Sequence, residues 1–109
     1  MTLFAVYRLD RTDGQAAEIR AATRPAHRDY MQRFQGRVRC GGPLLDPAGE
    51  GCGGFMLIEA EDEAEVREIL RNDPFEQAGL SGRIEIHAFR WQTNRPAEMP
   101  PLQDQPQTA

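Results

Sequence analysis

A chain of 109 residues supports one hydrophobic core and no more. Its formal net charge of −4 supplies no concentrated basic surface for a phosphate backbone, which argues against nucleic acid as a partner. All 13 basic residues are arginine, so Schiff-base chemistry and a lysine phosphate clamp are excluded, and no apolar run nears the roughly 20 residues needed to cross a bilayer.

At the start, Leu3 to Arg8 predicts a strand and residues 10–14 the turn after it. No basic stretch precedes this mixed segment, so it does not read as a signal peptide, and a cytoplasmic location is expected. Residues 15–23 are alanine-rich and suit a helix. Pro25 then either opens a new helix at its first turn or kinks one longer helix. From there Ala26, Tyr30 and Phe34 recur at spacing four until Gly36 ends the pattern.

Residues 37–40 read as a short strand stopped by Gly41-Gly42-Pro43, and 44–54 as a loop rich in Gly, Pro and Asp. Phe55 to Ala60 is the clearest strand. Asp62 caps a helix, Glu65 completes a capping-box-like pair, and Val66, Ile69 and Leu70 form the buried face. Asn72 ends that helix, and Asp73-Pro74 opens a short helical turn that closes at Gly79. In the last strand, 83–91, Ile84, Ile86 and Ala88 alternate with Glu85, His87, Phe89 and Trp91.

The order β-α-β-β-α-β is that of an α+β, ferredoxin-like fold with an antiparallel sheet. Residues 1–91 form the domain. Residues 92–109 carry four of the eight prolines and are expected to be a flexible tail or one laid along a surface. Such a sheet has helices on one face only, yet the first and third strands are apolar on both faces. A second copy packed sheet to sheet, a C2 homodimer with Phe89 and Trp91 at its interface, is the expected cover. Cys40 and Cys52 form no CxxC pair and have no companion ligands at zinc spacing; free thiols and no metal site are expected.

His27 is one of two histidines and the first candidate for acid–base work. It is either a packed structural residue or a base whose place in a first helical turn disfavours the cation. Asp73, before Pro74 and three residues ahead of Glu76, is a natural N-cap, and it also suits the carboxylate that orients an imidazole. Arg24, one turn from His27, offers a forked donor to a small anion. Tyr7 points either into the same cleft or into the core. Gly41 and Gly42 either serve the turn or, without side chains, let a ligand approach the backbone closely, and Pro43 fixes the chain after them; Gly42 and Pro43 are counted as candidate substrate contacts. Ser81 is the only serine and sits poorly for a hydrolase triad.

Arg24-Pro25-Ala26-His27, Gly42-Pro43-Leu44 and Asp73-Pro74-Phe75, in this order on these elements, resemble the YCII-related (YciI-like) family over about residues 3–91. The resemblance implies a dimeric α+β barrel with a His–Asp pair in a cleft, a role that falls on His27 and Asp73. One branch of that family removes chloride from a chlorinated hydroxyquinol, which implies lyase or dehydrohalogenase chemistry on small aromatics. The expectation is therefore a small-molecule enzyme with a cofactor-free His–Asp acid/base pair, of lyase, dehydrohalogenase, isomerase or hydrolase type. The alternative is a non-catalytic dimeric module for a small ligand or a partner protein.

Overall fold

The computed structural model describes residues 1–98. Its elements are β1 (Thr2–Asp10), α1 (Ala16–Met31), a 3-10 turn (Gln32–Phe34), β2 (Val38–Leu45), β3 (Gly51–Ala60), α2 (Glu63–Arg71), α3 (Pro74–Gln77) and β4 (Ser81–Ala88). The four strands form one antiparallel sheet in the order β2-β3-β1-β4. The architecture is α+β and ferredoxin-like, as the element order predicts. Among the described residues no helix is long and apolar enough to cross a membrane.

Alternation along β1 divides its side chains between two faces. Phe4 and Val6 turn to the helices, where they join Met56, Ile58 and Ala60 of β3, Ile86 of β4, and Val66, Ile69 and Leu70 of α2. Each such side chain, taken fully from water, contributes about 1.5–3 kcal/mol before entropy is charged against it. Asp62 caps α2 by accepting from Glu65 N–H at 2.8 Å. The reciprocal bond goes one residue further out than a capping box requires, from Glu61 N–H to Glu65 Oε1.

Leu3, Ala5 and Leu57 form a second buried cluster on the opposite face, with Phe55, Phe89 and Trp91 packed against it. Phe89 and Trp91 thus cover part of this face within the same chain, beyond the end of β4 at Ala88. Tyr7 and Leu9 continue the face and remain 40% and 38% exposed. The tail expectation beyond residue 98 lies outside the described residues.

Two sequence expectations change. The glycine-rich stretch from 41 to 54 is mostly paired strand: β2 runs on to Leu45 and β3 starts at Gly51. Cross-strand hydrogen bonding here outweighs weak strand propensity. Pro25 lies inside α1, which passes through it as one helix. His27 therefore sits four residues before the end of that helix, and the helix-start argument for a neutral imidazole falls away.

Helix α1 is unusual in another way. None of its residues is fully buried. It is held by Tyr30 and Met31 against the core, by the Tyr30 hydroxyl donating to the Ile69 carbonyl at 2.6 Å, and by polar bonds from Arg20 to Asp10 and from His27 to Asp73.

Candidate active site

Asp73 is 0% exposed, and donors from three elements converge on its carboxylate. Proline at the next position holds a residue extended, and Asp73 has φ −73° and ψ 129°. From there Oδ1 caps α3 by accepting Phe75 N–H at 2.9 Å. His27, from α1, meets Oδ1 at 2.8 Å and Oδ2 at 3.0 Å through Nδ1. Arg8, from β1, donates to Oδ2 through Nη1 at 2.7 Å. A carboxylate buried without such partners costs several kcal/mol. Burial pushes the Asp73 pKa up; the His27 bond, the Arg8 charge and bond, and the Phe75 N–H outweigh it, so the group lies below its ordinary 3.8.

An ionised carboxylate only accepts hydrogen bonds, so the hydrogen in the pair sits on His27 Nδ1. In the neutral ring that leaves Nε2 with a free lone pair and no hydrogen-bond partner among the described residues. Phe75 stacks on the imidazole, with centroids 4.0 Å apart and planes inclined by 17°. The ring is thus held by a carboxylate at its edge and an aromatic at its face.

His27 borders a cavity of about 850 Å³ between α1 and the β2–β3 hairpin, within the range of small-molecule sites. Arg24, Gly42 and Pro43 also line it. Gly42 and Pro43 do so as residues of β2, not as a turn. Arg24 lies exposed on the rim. Tyr7 is elsewhere: as a neighbour of Arg8 in a pleated strand it points to the other face, where its ring lies 5.0 Å from Phe55.

Arg8 is the residue of this cluster that sequence reasoning missed. It bridges Asp73 to Glu76, donating to Glu76 Oε2 at 3.1 Å, and Ser81 Oγ donates to the same oxygen at 2.6 Å. Glu76 therefore serves Arg8 and Ser81 and does not close a capping box around α3. The signal for Arg8 was its spacing. It follows Phe4 and Val6 at period two, which puts a cation on the apolar side of a central strand. His87 stays exposed on β4, beside Glu85. Cys40 and Cys52 are both free thiols.

The YCII-related domain family model matches residues 2–90 of this chain. A Burkholderia phenoliruptrix structure, 5-chloro-2-hydroxyhydroquinone dehydrochlorinase (TftG) in complex with 2,5-dihydroxybenzoquinone, is 33% identical. The match covers 83% of this chain and 93% of that one, with a TM-score of 0.71. The "derivative of benzaldehyde biosynthesis cluster protein C" of Emericella nidulans is 41% identical over 71 residues, 57% of this chain and 72% of that one. A NIPSNAP domain protein from Burkholderia xenovorans shares the fold at 11% identity and a TM-score of 0.52, over 86% of this chain and 98% of that one. The fold and site are those of a small α+β protein with an enzyme-like cleft. The chain belongs to the YCII-related family.

Proposed function

We propose that this protein is a small-molecule enzyme that uses His27 and Asp73, without a cofactor, to eliminate a leaving group from a small phenol or quinol. The observation that carries the reading is the contact of His27 Nδ1 with a fully buried carboxylate beside an open cavity. The likeness to a dehydrochlorinase at 33% identity supports the reaction class.

In the cycle, His27 Nε2 takes the proton of a ring hydroxyl. The oxygen's electron pair becomes a carbonyl, and ring electrons move to the carbon that bears the leaving group. The imidazolium, stabilised by Asp73, returns the proton to that carbon. Nε2 then takes a second hydroxyl proton; a second carbonyl forms, and halide departs with its bonding pair. The sum is loss of one proton and one halide, so no oxidant or reductant is required. Arg24 on the rim meets the developing oxyanion, and Gly42 and Pro43 border the bound ring.

Two further features belong to the same proposal. The active form is a C2 homodimer, supported by exposed Tyr7 and Leu9 on the face without helices. The compartment is the reducing cytoplasm, in keeping with two free thiols.

The test is chloride release from 5-chloro-2-hydroxyhydroquinone by wild type, His27→Gln and Asp73→Asn. Wild type is expected to release chloride, and each variant to be slower by a factor of about 10² to 10⁴. Binding without turnover by wild type would put the non-catalytic ligand-binding module ahead, and undiminished release by His27→Gln would take the acid–base role away from His27.

A further inference from the structure

Glycine weakens a strand and is kept there for a bulge, a bend or a close approach. Gly41, Gly53 and Gly54 all border the cavity from β2 and β3. Two of them have reasons within the fold. A Cβ at Gly53 would lie 2.4 Å from the Arg8 carbonyl oxygen, and one at Gly41 would meet the Phe55 carbonyl oxygen at 3.2 Å and Met56 Cβ at 3.3 Å. Gly54 has no such reason. Its backbone is not in the left-handed region. A Cβ there comes no nearer than 4.0 Å to any other group, the Gly42 carbonyl oxygen.

Gly54 is paired on both sides, with Arg8 of β1 and Pro43 of β2. It precedes Met56 by two residues and so shares the helix-side face with it. A larger residue at this position fits the sheet and projects into the cavity. The bareness of this wall thus serves the space, not the fold.

The opposite rim carries an independent observation. Arg20, Arg24 and Arg28 follow one another at spacing four on α1, where like charges repel. Asp10 neutralises Arg20 through two bonds of 2.7 and 2.6 Å. Glu76 is engaged by Arg8 and Ser81. Arg24 and Arg28 line the cavity with no side-chain partner among the described residues. The remaining carboxylate of the lining, Glu50, stands at the β2–β3 turn.

We infer that the cavity is a slot for a flat anion. Its ring lies face down on the bare backbone at Gly54, its charged substituent reaches Arg24 and Arg28, and the ring edge beside that substituent meets His27 on the same helix. Gly54 is the position that selects for flatness, and Arg28 is a second anion contact. The inference rests on the reading of the cavity as an active site, but it concerns binding alone and is tested without turnover.

Calorimetric titrations at low ionic strength compare three probes: 2-naphthoate, its puckered saturated counterpart decahydro-2-naphthoate, and uncharged 2-naphthamide. Wild type is expected to bind 2-naphthoate at least tenfold more tightly than either of the others, and less tightly as salt screens the arginines. Gly54→Ala weakens it several-fold and Gly54→Val tenfold or more, both at wild-type melting temperature. A double Arg24→Gln/Arg28→Gln variant loses about tenfold for the naphthoate and nothing for the amide.

Equal binding of the flat and puckered acids overturns the inference, as does unchanged affinity in Gly54→Val. So does a lowered melting temperature in Gly54→Ala, because the glycine then serves the fold. Unchanged naphthoate affinity in the arginine variant removes the anion contact. His27→Gln separates this inference from the acid–base reading. If it binds 2-naphthoate and releases chloride as wild type does, the acid–base role fails and the slot stands.

Discussion

Asp73 combines a structural and a chemical duty in one carboxylate. Replacing it with asparagine removes the charge that faces His27 and Arg8 in a fully buried place. Arg8 keeps Glu76 but loses its shorter ion pair, and His27 loses its anionic partner, so Asp73→Asn is expected to lose about 3 kcal/mol of stability in urea denaturation. The pH dependence follows from the direction of the shift. The folded pKa lies below the ordinary 3.8, so the stabilising contribution is fully present above that value and disappears as pH falls below it. The acid limb of the stability curve should therefore be shallower in Asp73→Asn than in wild type. Arg8 acts through this carboxylate. Arg8→Met removes an opposing charge at 2.7 Å, which moves the Asp73 pKa upward and shifts the acid limb of the stability curve to higher pH. A purely structural Arg8 would lower melting temperature and leave that limb in place. Sequence reading singled out His27, Asp73 and Arg24 because proline and helix periodicity mark their positions, and the structure brings His27 to Asp73 with Arg24 on the same cavity. It missed Arg8, whose role depends on which face of a strand meets which helix.

At the scale of elements, α2 was the easiest to read. Its cap and its three buried residues, Val66, Ile69 and Leu70, all agree on one face, and Ile69→Ala is expected to cost 2–4 kcal/mol in the same denaturation experiment. The β2–β3 hairpin was the hardest. Gly41, Gly42, Gly51, Gly53 and Gly54 carry the composition of a loop, yet each lies in a strand, because pairing with neighbours supplies what the side chains lack. The reading of α1 stayed open at one residue. Pro25 left open whether there were two helices or one, and tertiary mooring by Tyr30 and Met31 decides for one. The cost of a proline in an exposed helix interior persists, and Pro25→Ala is expected to raise stability by about 1–3 kcal/mol. Differential scanning calorimetry measures it directly.

For the whole molecule, the sheet's two faces have different fates. The helix side holds the larger core, and the other side is covered in part by Phe89 and Trp91. The homodimer proposed above uses what they leave open. Light scattering is expected to give twice the chain mass for wild type and the chain mass for Tyr7→Glu/Leu9→Glu. The melting temperature of the monomeric variant becomes independent of protein concentration.

Helix α1, without one fully buried residue, is held to the rest of the molecule by polar bonds from Arg20, His27 and Tyr30 more than by packing. Segments with so little burial open at low free energy, so amide exchange in α1 should be fast in the empty protein and slow when the cavity is filled. The occupant then acts as a missing piece of the interior. Its measured affinity contains the ordering of α1 as well as its own contacts. A change that stiffens the helix at a residue outside the cavity lining, such as Pro25→Ala, should tighten binding without touching the bound molecule.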